Sequence, residues 1–167
     1  MNYTCKTCGQ IHEGLPLSCG AEAPYYWYGL TEKERKRRAS LSSDQCIIDD
    51  KYFFVLGRLE IPILNSNEIF CWLVWVSLSE ANFERASKLW HKEGREKEPP
   101  YFGWLGTFLP GYPETVGLKT NVHTRPVGER PYVELEPTNH PLATEQRDGI
   151  TWGRVQSIAE EILHGQT

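Results

Sequence analysis

Cys5-Lys6-Thr7-Cys8-Gly9 is the part of the chain best equipped for chemistry. Two thiols three positions apart can converge on one tetrahedral ion, and the glycine that follows permits the backbone turn this needs. His12, four residues after Cys8, is close enough to add an imidazole as third ligand. The fourth can come from Cys19 nearby or from Cys46, and spacing leaves both open. Zinc is the ion expected of such a set, and four protein ligands make a closed, structural site. A lone Cys-x-x-Cys is also a redox motif or a chance pair on a flexible loop, and only the clustering with His12 favours metal. The cysteines number five, and an odd count in a reducing compartment suits ligands and buried thiols better than disulfides.

Other chemistry is sparse. The chain holds no H-E-x-x-H, no G-x-S-x-G, no phosphate loop and no dinucleotide fingerprint. The remaining catalytic candidate is His140 with Glu134 or Glu136, because a carboxylate can tune a histidine as a general base, for instance in hydrolysis. Against this, a histidine between a strand and a proline is more often a turn residue bonded to the backbone. Tyr101, Trp104, Phe108 and Tyr112 sit in a segment rich in proline and glycine and could line a groove for a flat ligand or anchor a partner protein. The plainer expectation is that they cover the sheet. Lys33, Arg35, Lys36, Arg37 and Arg38 form a basic run of the kind that is usually solvated.

The elements that must position these groups can be read from periodicity and caps. Residues 1–24 have little apolar pattern and are expected to form a metal-knuckle segment of the same domain, ordered by the ion, with residues 25–167 as the core. Thr31-Glu32-Lys33-Glu34 fits a capping box opening a charged helix. Residues 46–48, 52–63, 70–78, 116–124 and 132–136 read as strands, with 52–63 and 70–78 forming a hairpin and 70–78 apolar on both faces. Ser79 and Thr151 are placed to cap amphipathic helices. Residues 93–100 read as loop, 99–113 as rigid irregular backbone, and 137–141 as a break. The expected fold is α+β: a single domain with an antiparallel sheet of about four or five strands, two main packed helices and an N-terminal zinc-knuckle-like segment.

Composition narrows the class. The 167 residues carry 18 Lys and Arg against 22 Asp and Glu, a net charge of −4, which argues against a nucleic-acid surface. The longest apolar run, residues 69–76, is far short of the roughly 20 residues of a membrane span, and no secretory signal is read at the start. A cytoplasmic location is the expectation.

Several segments together resemble the bacterial proteins grouped as domain of unknown function 2199. They are Cys5-x-x-Cys8-Gly9-x-x-His12 with Gly14-Leu15-Pro16, Asp44-x-Cys46-x-Ile48-Asp49, Phe53-Phe54 and Trp75-Val76-Ser77-Leu78-Ser79. Pro100-Tyr101-Phe102-Gly103-Trp104-Leu105 and His140-Pro141-Leu142-Ala143 continue the likeness over nearly the whole chain. The resemblance implies no assigned activity. It does imply that Cys5, Cys8, His12 and Cys46 belong to the motif and that Cys19 does not, favouring Cys46 as fourth ligand. The leading expectation is a non-catalytic, structural-zinc-binding domain with a protein partner; its rivals are a small hydrolase using His140 and a toxin-neutralising protein that works by charge complementarity.

Overall fold

The computed structural model describes residues 2–165, so Met1 of the expected 1–24 segment and Gln166 and Thr167 of the expected core lie outside the described residues. A small antiparallel hairpin comes first, β1 (Tyr3–Thr4) with β2 (Ile11–His12). The main sheet has eight strands: β3 (Ser18–Gly20), β4 (Ala39–Leu41), β5 (Gln45–Ile48), β6 (Tyr52–Pro62), β7 (Ile69–Leu78), β8 (Tyr101–Leu105), β9 (Lys119–His123) and β10 (Tyr132–Leu135). Among the described residues five α-helices accompany it: α1 (Tyr25–Tyr28), α2 (Glu32–Arg38), α3 (Glu80–Lys88), α4 (Pro141–Asp148) and α5 (Trp152–His164). Among the described residues no helix is long and apolar enough to cross a membrane.

The mixed single domain agrees with expectation; the sheet differs in size and shape. The long hairpin of β6 and β7 runs in register from Phe53↔Leu78 to Pro62↔Ile69. β8 pairs with β7, β9 with β8, and β10 with β9, all antiparallel. β10 then meets β6 in parallel at Tyr132↔Arg58, where the Arg58 amide donates to Pro131 O at 2.8 Å. That contact closes β6 to β10 into a five-stranded barrel. β3 joins β7 in parallel outside the barrel, and β5 and β4 extend the other side.

Gly57 marks where β6 exchanges one neighbour for another, β5 before it and β10 after it. A side chain there would drive a Cβ to 2.5 Å from Val133 Cγ2 and 3.1 Å from Pro131 O. Glycine is what lets β10 approach closely enough to close the barrel.

Alternation along the hairpin builds two cores. Val55, Leu59 and Ile61 face the barrel interior with Val76, Leu105, Val122 and Val133, and Phe83, Leu142, Val155 and Ile158 from the helices complete that core. On the other face Phe54, Leu56 and Trp75 pack with Cys46 and Ile48 beneath Trp27, Leu30 and Leu41. The expected caps form: Glu34 N donates to Thr31 Oγ1 at 3.2 Å while Thr31 N donates to Glu34 Oε2 at 2.8 Å, and Ser79 and Thr151 each accept from the third residue on. Several elements depart from expectation: β3, β4, α1 and a 3-10 turn at Arg95–Lys97 form where none was expected. Residues 101–105 form a strand with alternating burial inside the aromatic segment, and the expected break at Pro137–Pro141 ends in the start of α4. Pro141 suits the first helical position because its missing N–H would have no partner there.

Candidate metal centre

The β1–β2 hairpin carries three of the donors. Cys5 N donates to Gln10 O at 2.9 Å and Gly9 N to Cys5 O at 2.9 Å, folding residues 5–10 into a tight loop that needs the positive φ of Gly9, +73°. His12 stands opposite Tyr3 across the hairpin, so its ring is held next to the loop. The fourth donor is His164, the last residue of α5.

Helix α5 is fastened to the hairpin by both packing and polar bonds. Cys5, Tyr3 and Ala159 form a small buried cluster with Leu15 against it. Glu160 Oε1 accepts from Lys6 N at 2.8 Å and from Gln156 Nε2 at 2.8 Å, and Gln156 Nε2 also donates to Thr4 O at 3.0 Å. The helix end is thereby delivered to the loop. Cys5 Sγ lies 3.3 Å from His164 Nε2, Cys8 Sγ lies 3.4 Å from His12 Nε2, and all four donor atoms lie within 4.8 Å of one another.

These separations fit an ion. Zinc bonds of about 2.3 Å to sulfur and about 2.0–2.1 Å to nitrogen give a tetrahedron with edges of roughly 3.3–3.8 Å. The local charge fits as well. Burial alone would push the Cys5 thiol up, but the Cys8 and Thr7 amides and the Cys8 side chain outweigh it, and its pKa falls below the ordinary value. A thiolate is the form that ligates. The Tyr3 phenol is pushed up, first by burial and then by Cys5, Glu160 and Cys8, as expected beside accumulated negative charge. Cys5, Cys8, His12 and His164 are close enough to bind a metal ion.

The cluster takes in His164, and Cys46 and Cys19, the two expected choices for the fourth ligand, lie outside it. Cys46 is buried in β5 opposite Phe54 and packed with Trp75, where burial pushes its thiol up to about 11. The two-sided core claims it as a small apolar side chain. Cys19 sits in β3 opposite Trp72 and is likewise pushed up by burial. His164 carries no local motif: it follows His12 by most of the chain, and its only sequence cue is its place in the last turn of an amphipathic helix.

The other candidates are not gathered into a site. His140 is the N-cap of α4: its Nδ1 accepts from Leu142 N at 3.1 Å, and its Nε2 donates to Glu114 O at 3.1 Å and Pro113 O at 3.3 Å. Both ring nitrogens are engaged by backbone. Glu134 instead pairs with His123 at 3.3 Å, and among the described residues neither Glu134 nor Glu136 bonds to His140.

The four aromatics divide. Tyr101 is buried in the barrel with its hydroxyl on Glu98 Oε2 at 2.9 Å. Tyr112 donates to Glu145 Oε2 at 2.6 Å, accepts from Trp72 Nε1 at 3.3 Å and lies under the Arg154 guanidinium. Trp104 and Phe108 are exposed, by 47% and 55%. One common groove is therefore not formed, because alternation along β8 sends Tyr101 inward and Trp104 outward.

Comparison with curated proteins and with solved structures gives no match. A family model matches residues 4–150, a span that takes in Cys5, Cys8 and His12 and stops before His164. The chain belongs to the bacterial family described as "Uncharacterized protein conserved in bacteria (DUF2199)".

Proposed function

We propose that the protein is a non-catalytic binding domain in which Cys5, Cys8, His12 and His164 hold one structural zinc ion that staples the N-terminal hairpin to the end of α5. The observation that carries this reading is the convergence of two thiols and two imidazoles within 4.8 Å, from segments at opposite ends of the chain. Four protein ligands fill a tetrahedron, so the ion has no open position for substrate and contributes to folding instead. The engagement of His140 by backbone supports the same reading.

Metal analysis of untagged protein tests it. One zinc per chain is expected, lost in Cys5→Ser and in His164→Ala and retained in Cys46→Ser. Zinc retained in His164→Ala and lost in Cys46→Ser would overturn the ligand set.

The side offered to a protein partner is the outer face of β8. Phe102 and Trp104 stand there 41% and 47% exposed, their rings 5.1 Å apart and edge-on. Large exposed aromatics are the residues that anchor protein interfaces. If the pair serves a partner and not the fold, Phe102→Ser with Trp104→Ser changes stability by no more than about 0.5 kcal/mol. A loss above about 2 kcal/mol in urea unfolding would make them structural covers.

A further inference from the structure

Away from the hairpin, a cleft of about 720 Å³ opens between the β4–β5 turn, the outer face of β6, the segment after α3 and the β9–β10 loop. Four arginines line it, Arg58, Arg95, Arg125 and Arg130, against Asp44, Glu60 and Glu129, on a chain of net charge −4. Two of the carboxylates are already taken by the arginines. Glu60 accepts from Arg125 at 2.8 and 2.9 Å and from Arg58 Nε at 3.0 Å, and Asp44 accepts from Arg130 Nε at 2.9 Å.

Arg95 differs from the rest. It is only 8% exposed, and its guanidinium donates to four backbone carbonyls, those of Arg125 (2.7 Å), Trp90 (2.9 Å), Pro126 (3.0 Å) and Glu129 (2.9 Å). The carbonyls fix the β9–β10 loop around it, and the guanidinium also lies over the Trp90 ring at 5.7 Å, but among the described residues no carboxylate pairs with this buried positive charge. Such a charge is costly unless something compensates it. Arg58 and Arg130 each use Nε alone, so among the described residues no protein acceptor meets their Nη groups.

The surplus of this cleft is thus donors and positive charge, in planar forks that match phosphate oxygens two at a time. A metal cation would be repelled. Free phosphate would fill a small part of the space, since clefts of roughly 300–1,000 Å³ hold drug-sized molecules. Trp90, also in the wall and already carrying the Arg95 guanidinium over its ring at 5.7 Å, offers the apolar surface left to it for the remainder. We propose that this cleft binds a phosphate-bearing small molecule, with Arg58 and Arg130 on the phosphate and Trp90 against the organic part.

Calorimetric titration with adenosine 5′-monophosphate, adenosine and inorganic phosphate, at about 0.15 M salt, tests the proposal. The nucleotide binds saturably with Kd below about 1 mM, inorganic phosphate competes, and adenosine does not bind. Arg58→Gln and Arg130→Gln each weaken nucleotide binding about tenfold or more, whereas Arg147→Gln, an exposed arginine outside the cleft, leaves it unchanged. No saturation below about 10 mM, adenosine binding as tightly as the nucleotide, or wild-type affinity in both cleft variants would overturn it. Circular dichroism checks each variant's fold, and the two cleft substitutions give the test twice. No cleft residue belongs to the Cys5–His164 cluster, so zinc content is read separately and the two proposals fail independently.

Discussion

Replacing Gly57 by alanine should open the barrel at its closing contact. The new Cβ would lie 2.5 Å from Val133 Cγ2 and 3.1 Å from Pro131 O. Carbon atoms rest about 3.5–4.0 Å apart, so roughly 1 Å of room must be found. Val133 is fully buried and has nowhere to turn, and Pro131 O is the acceptor of the Arg58 amide, 2.8 Å away. Overpacking of this kind costs about 1–3 kcal/mol, and a weakened strand bond about 1 kcal/mol more. Alanine restores about 0.4–1 kcal/mol by restricting the unfolded chain. A net loss of about 2 kcal/mol is expected from these opposing terms, read as a lower urea midpoint at unchanged m-value. Val133→Ala alone should lose about 2 kcal/mol for its buried methyl groups. Because it also removes the colliding atom, the double variant should be less destabilised than the sum of the singles by about 1 kcal/mol. A neutral Gly57→Ala, or strict additivity with Val133→Ala, would refute the closure argument.

Three further outcomes follow from the polar contacts. Tyr112→Phe removes the hydroxyl that bonds Glu145 and Trp72 and should cost about 1–3 kcal/mol by urea unfolding, since both partners lose a bond in a half-buried site. His140→Ala removes the α4 cap and its tie to residues 113–114 and should cost about 1 kcal/mol; unchanged stability would return His140 to the list of residues needing a function. Glu98 is held down at about 2, first by the Arg85 guanidinium and then by the Tyr101 hydroxyl. Since its folded value is depressed, its stabilisation is complete above the ordinary glutamate value of 4.5 and is lost as pH falls through about 2. Acid unfolding of Glu98→Gln should accordingly show a shallower dependence across that window than wild type, and identical profiles would contradict the pairing.

What was legible in the sequence was local. Thr31, Ser79 and Thr151 announce their helices because a cap is a bond between near neighbours, and alternation along residues 52–63 and 132–136 reports which face is buried. The features that sequence reading missed are set by distant partners. β8 hides among prolines and aromatics, and its strand character comes from lying between β7 and β9. Barrel closure depends on β10 reaching β6, which no periodicity encodes. The group of four candidate donors divides in the same way. Cys5, Cys8 and His12 are close in sequence and are brought together, whereas His164 joins them only because α5 packs on the hairpin through Ala159 and Glu160. Cys46 matches the motif of the resemblance, yet it is buried in a cluster with Phe54 and Trp75, away from the four gathered donors.

X-ray absorption at the zinc edge of the purified protein tests the metal staple most directly. The account predicts a four-coordinate ion with two sulfur ligands at about 2.3 Å and two imidazole nitrogens at about 2.0–2.1 Å, with one imidazole lost in His164→Ala. A shell of three sulfurs, or a spectrum unaltered by removing His164, would contradict it.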